Sequence, residues 1–240
     1  MVGLTYTTFV NSLVNLMPVP AATDPGFVID LPNIIDDASN RILRDMDLLQ
    51  TVVTDVSAPT VPGSRNVVLP STNGTFVVVE GINVITPAGT TTPSSGTRNP
   101  VLPATIDVLN FLYPSTLGSS VPQYFARFTD PVVSLGPFPD AAYTLEILGT
   151  IRPAPLSPTV TTTFLSVYFP DVLLAAAMVR ASGYMKNYGA AVDDPKMALT
   201  WEAHYNSLLT PAKVEEARKK FQSQGWSSKE PAPIATPPRT

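Results

Sequence analysis

Helical periodicity occupies both ends of this chain, and short β-rich runs occupy its middle. That segregation limits the fold more than any single motif, because a helical stripe and a strand face need different partners to bury their apolar residues. Near the N-terminus Leu4, Phe9, Leu13 and Leu16 or Met17 recur at helical spacing. MPVPAATDPG then interrupts the pattern, and Asp30 is placed to cap a second helix with Pro32 in its first turn. That helix, LPNIIDDASNRILRDMDLLQ, sets Ile34, Ala38, Ile42 and Leu49 on one stripe bordered by Ile35 and Met46. Asp36, Asn40, Arg44 and Asp47 face away from it.

From Thr51 the composition shifts to Val, Thr, Pro and Gly. TVVTDVS, RNVVLP, TFVVVEGINVI, QYFARFTD, PVVSLGP and AYTLEILGTIRP read as short strands separated by turn residues. TPAGTTTPSSGTRNP, from Thr86 to Pro100, reads as a long polar loop protruding between strands. ATIDVLNFLY predicts a short helix. After RPAPLSP helical spacing returns. Pro170 and Asp171 suit a helix start, and Asp194 with Pro195 repeats that opening ahead of MALTWEAHYNSLL. Pro211 either kinks this last helix or begins another with Thr210 as its N-cap. The order predicts an α+β fold. Residues 1–50 and 160–222 form a helical bundle, residues 51–155 an inserted antiparallel β sandwich or barrel, and residues 223–240 an extended C-terminal arm.

Within the later helical part, FPDVLLAAAMVRASGYMKNYG carries an apolar run. A membrane span needs about 20 mostly apolar residues, and Arg180 and Lys186 interrupt this one, so no membrane anchor is expected. Ala175, Ala176, Ala177, Ala181, Ser182 and Gly183 leave little side-chain bulk. They predict a helix buried closely against other helices.

Only 14% of the 240 residues are charged, against about 25% in typical soluble domains. Charge is depleted at the cores of protein interfaces, so the deficit points to association. The net charge is −4, and the densest basic cluster is Arg218, Lys219 and Lys220, which is no nucleic-acid footprint. The chain has no cysteine, which excludes disulfides and thiolate sites and fits a reducing compartment. MVGLTYTTFVNSLVNLMP lacks a positive leader region, so no secretory signal is expected.

No motif announces catalysis. His204 is the single histidine and lies in a helical stretch with Trp201, Tyr205 and Leu208. It reads as a structural helix residue, without the G-x-S-x-G elbow a hydrolase triad would bring. Asp36, Asp37, Asp45 and Asp47 form the densest acidic patch. With Arg41 and Arg44 in reach, they read as an ion-paired face rather than a Mg²⁺ site, and Asp193 with Asp194 as a helix start. Neither Gly-rich phosphate-binding motif is present, so no cofactor is expected.

The last stretch, SQGWSSKEPAPIATPPRT, loses helical spacing and is rich in proline. Proline-rich segments stay extended and lose little entropy on docking into a groove. Trp226, Pro231, Pro233, Ile234, Pro237, Pro238 and Arg239 are therefore the expected partner-binding residues.

Whole segments resemble a known family. LPNIIDDASNRILRDMDLLQTVVTDVS is similar to the opening of the head-to-tail adaptor (connector) proteins of short-tailed bacteriophages. PFPDAAYTLEILGTIRPAPLSPTVTTTFLSVYFPDVLLAAAMVRASGYMKNYG resembles their later block, and DDPKMALTWEAHYNSLL and VEEARKKF resemble their terminal helices. The resemblance implies a ring, commonly of twelve copies, between the portal protein and the tail hub or nozzle of a virion neck. It implies helices in the ring wall, the β part towards the tail, the arm reaching into the portal, and DNA passing through the lumen without sequence-specific binding. Two other readings compete. A carbohydrate- or ligand-binding β-module would show a concave aromatic patch, with Tyr124, Phe125 and Phe128 as its candidates, and a hydrolase would use His204.

Overall fold

The structure, a computed structural model, describes residues 3–17, 24–184 and 196–223. The protein is mixed α+β and divides into two compact units, Met1–Leu49 with Pro155–Thr240, and Gln50–Ala154.

The first unit is helical. Helix α1 (Tyr6–Leu16) is held by a reciprocal cap, the Thr8 N–H donating to the Thr5 hydroxyl at 3.3 Å and the Thr5 N–H to the Thr8 hydroxyl at 2.7 Å. Helix α2 (Pro25–Asp45) begins earlier than the expected Asp30 cap. Asp24 accepts from the Gly26 N–H at 2.9 Å and Pro25 occupies the first position, a stronger start than Asp30 with Pro32. Pro32 therefore lies inside the helix, and Asp30 accepts instead from Asn33 at 3.0 Å. The stripe of Ile34, Ala38 and Ile42 is buried, extended by Phe27 and Leu31. Leu49 leaves it, because the helix ends at Asp45 and Leu49 opens a 3-10 turn (Leu49–Thr51), while Met46 and Leu48 are buried.

Two short steps, α4 (Phe164–Tyr168) and α5 (Pro170–Tyr184), precede the long α6 (Met197–Ser223). Helix α5 is apolar around most of its circumference, and such a helix must be enclosed. Val172, Leu173, Ala175, Ala176, Ala177 and Met178 are all buried, in one core with Phe9, Ile34, Ile42 and Tyr205. Alanine methyls at this crowded centre let the surrounding helices come close. No helix among the described residues is long and apolar enough to cross a membrane. Helix α6 runs unbroken past Pro211, and Thr210 is no cap, since its hydroxyl donates back to the Asn206 carbonyl at 3.3 Å. Asp194 and Pro195 lie outside the described residues.

The second unit carries strands β1 (Val52–Asp55), β2 (Asn66–Val68), β3 (Thr75–Thr86), β4 (Thr97–Pro103), β5 (Tyr124–Thr129), β6 (Val132–Gly136) and β7 (Thr144–Arg152). They form one sheet in the order β1-β7-β3-β4-β5-β6-β2. This corrects the expected all-antiparallel module, because β4 and β5 pair in parallel. The reason is α3 (Ile106–Leu112), which connects them; parallel neighbours need such a crossover. Leu109 and Tyr113 seat α3 on β6 at Gly136, where an added Cβ would lie 2.8 Å from each of their side chains.

Strand β7 alternates, placing Leu145, Ile147 and Ile151 in the core with Val84 and Leu135. At Gly149 an added Cβ would sit 2.2 Å from the Val78 carbonyl oxygen, so only glycine allows the bulged β3 to pair there. The segment from Thr86 to Pro100 is only partly the expected loop between strands. Its end is strand β4, and its middle folds back, with the Gly89 N–H donating to the Ala142 carbonyl at 3.2 Å and the Thr144 hydroxyl to the Thr90 carbonyl at 2.6 Å.

Candidate functional site

The acidic patch of α2 is the first candidate, and its geometry is a clamp. Arg41 donates to both carboxylate oxygens of Glu202 on α6, at 2.8 and 2.5 Å, and its guanidinium lies 4.2 Å from the centre of the Tyr205 ring. Asp45 accepts from the Tyr205 hydroxyl at 2.7 Å. Burial, reinforced by Asp45, pushes the Tyr205 phenol far above its ordinary range. The hydrogen bonds from Arg41 hold the Glu202 carboxyl below the usual carboxylate range, against the opposing effect of burial. Arg180 on α5 pairs with Asp37 and, at 3.6 Å, with Asp30, while Lys220 pairs with Asp47. Asp30, Asp37 and Asp47 are thus directed at cations on neighbouring helices, and Asp45 at the Tyr205 hydroxyl and at Arg41 on its own helix. No three metal-ligating carboxylate or imidazole groups converge among the described residues.

Further along α6, Glu216 is buried and accepts from the Leu49 N–H at 3.2 Å and from Lys219 at 2.7 Å. Lys219 also lies over the rings of Phe164, Tyr168 and Phe169, 5.1 Å from the last. These contacts tie α6 to α4 and to the 3-10 turn that follows α2.

His204 is exposed on α6, its ring edge-on to Trp201 at 5.6 Å. The nearby hydroxyl of Ser207 donates to the His204 carbonyl at 2.7 Å, not to the ring, so it is not an activated nucleophile.

In the second unit the three aromatic candidates do not converge. Phe125 is buried in the core, Tyr124 is half-buried and tilted against Tyr113 at 6.4 Å, and Phe128 is exposed. Strand alternation sends Phe125 to the opposite face from Tyr124. The polar surface of this unit is instead cross-strand bracing. Arg98 on β4 grips Glu146 on β7 at 2.9 to 3.1 Å, and Asn83 on β3 donates to the same carboxylate at 2.8 Å. Arg98 holds the Glu146 carboxyl below its ordinary range. Arg127 on β5 donates to the Val77 carbonyl at 3.0 Å and to the Phe76 carbonyl at 3.3 Å, bridging to β3.

Sequence reasoning missed one feature. Phe111 and Leu117 are almost wholly exposed, with Val108 and Leu112 half exposed beside them on α3. The available signal was the absence of any charged residue from Val108 to Ala126. The expected arm residues Trp226, Pro231, Pro233, Ile234, Pro237, Pro238 and Arg239 lie outside the described residues.

Residues 4–228 match the family model for the SU10 adaptor protein. No curated protein matches the sequence.

Proposed function

The chain belongs to the SU10 adaptor protein family, and from that premise we propose that it is a structural ring subunit joining the portal protein to the tail hub or nozzle of a phage neck. The observation that carries this reading is the extent of the match, which spans both the helical and the β unit. The clamp on α2 supports it, because Arg41, Asp37 and the following Asp47 fasten helices of one unit together.

In this reading copies assemble into a ring of about twelve around the DNA exit channel in the virion neck, with the helical unit as a bundle in the wall and the β unit towards the tail. Residues 223–240 form an arm that docks into the portal through Trp226, Ile234 and the prolines around them. At −4 per chain, twelve chains carry 12 × −4 = −48. A lumen that is on balance acidic or neutral lets DNA slide, since phosphate affinity grows with each Lys or Arg contact. The free chain stays monomeric in the host cytoplasm until the portal arranges the copies, because weak lateral contacts close only when prearranged.

Deleting Ser227–Thr240 tests the reading. The expected product unfolds at the full-length temperature but joins portal rings at least tenfold more weakly, read by native mass measurement of the mixture. Truncated protein joining at full-length affinity refutes the arm, and full-length protein that never joins refutes the adaptor ring.

A further inference from the structure

Among the large apolar side chains that the β unit leaves in water are groups at two places, and we propose that these are the two halves of one contact between neighbouring copies of this chain. The inference rests on the ring reading above. The first place is the outer face of α3 and the turn after it. Leu109 and Tyr113 hold the helix against Gly136, so Val108, Phe111 and Leu112, at helical spacing, share the other side. Phe111 is 84% exposed and Leu117 90%. The second place is the far end of β5. Phe128 follows Arg127 there, Arg127 reaches the Val77 carbonyl, and Val77, Val78 and Phe128 are all about half exposed. Tyr124, which rests on Tyr113, and Phe128 are separated by about 13 Å of extended strand.

Size, supply and charge select a second copy as the occupant. The four side chains of the first face expose on the order of 400 Å² of apolar surface, half of the roughly 800 Å² that each partner gives to a stable pair. A contact that small holds poorly by itself and strengthens when each copy makes it twice in a closed ring. The same chain supplies a counter-surface of similar character. The charges beside that counter-surface are already engaged, Arg127 with Asp130 at 3.5 Å and Glu80 with the Thr150 hydroxyl at 3.0 Å. The first face has Asp107 at its edge and no charge from Val108 to Ala126. Two such faces meeting each other would oppose their Asp107 carboxylates, whereas the second surface, with Arg127 paired to Asp130, sets no unpaired carboxylate of that kind against them. The contact is therefore head-to-tail, the kind that closes into rings.

The absence of native cysteine makes the test direct. Full-length Leu117→Cys and Val78→Cys variants are mixed, assembled with the portal protein of the same virus and treated with a bis-maleimide. The expected product is the mixed dimer, with no dimer from either variant alone. Adding Phe111→Asp lowers ring yield at least tenfold without moving the thermal midpoint. Rings that form without the mixed dimer, or form normally with Phe111→Asp, overturn this contact and leave the adaptor reading standing. Dimers of Leu117→Cys alone overturn it in favour of a face that meets itself. Cross-links from Leu117→Cys to portal or tail protein overturn it in favour of that partner. A chain that forms no ring with the portal at any concentration overturns both.

Discussion

Arg41 on α2 holds Glu202 on α6 through two hydrogen bonds, although 161 positions separate them in the chain. The pair is part-buried, two-pronged and stacked on a buried tyrosine, which sets it apart from a single exposed ion pair.

Replacing Glu202 with Gln keeps the shape and removes the charge. With about a third of each side chain still exposed, the expected loss is about 1 kcal/mol. Urea unfolding reads it as a lower midpoint with an unchanged slope; an unmoved midpoint means the clamp contributes nothing.

Glu202 and Glu146 are both held below their ordinary value of 4.5 by an arginine. A carboxylate with a depressed folded pKa binds protons more readily when unfolded. Its contribution is therefore fully present above about pH 4.5 and disappears as pH falls through the lower folded values. Stability measured from pH 7 to 3 is expected to drop below pH 4.5, with a shallower drop in Glu202→Gln. Identical profiles for the two proteins would refute the assignment.

At Gly149 an added methyl has no room against the Val78 carbonyl. Gly149→Ala is expected to destabilise the β unit by about 3 kcal/mol, the upper end of overpacking costs. Amide exchange should accelerate in β3 and β7 and stay unchanged in α5; protection retained in both strands would count against the close approach.

On α5 two small residues should behave oppositely. Ala177 is fully buried, and Ala177→Leu is expected to cost about 1–3 kcal/mol. An added Cβ at Gly183 meets nothing within 4 Å, so Gly183→Ala is expected to be neutral or stabilising by up to about 1 kcal/mol through helix propensity. Equal losses in thermal unfolding would contradict the difference in packing.

Much of the α+β character was legible because its signals are local. The stripe of Ile34, Ala38 and Ile42 and the apolar circumference of α5 each follow from spacing alone. Strand β4 was hidden because TRNPVLP contains two prolines and little alternation, yet Pro100 pairs with Asn83 and Pro103 with Phe125 within the sheet. Helix α4, with five residues, is too short to show a period. The start of α2 turned on whether Asp24 or Asp30 won the cap, and both are good caps locally. The acidic face was readable as ion-paired, but its cations Arg180 and Lys220, like the Glu202 that Arg41 holds, come from far along the chain, where spacing carries no information.

The helical unit is made from the two ends of the polypeptide, with the β unit encoded between them. During synthesis α1 and α2 therefore leave the ribosome well before α5, the helix their apolar residues enclose. At about 5–20 residues per second the wait is on the order of ten seconds. For that interval the nascent N-terminal segment is a bare amphipathic ribbon, open to holding chaperones and to premature clustering on crowded polysomes, and its rescue is timed by translation speed through the middle of the message.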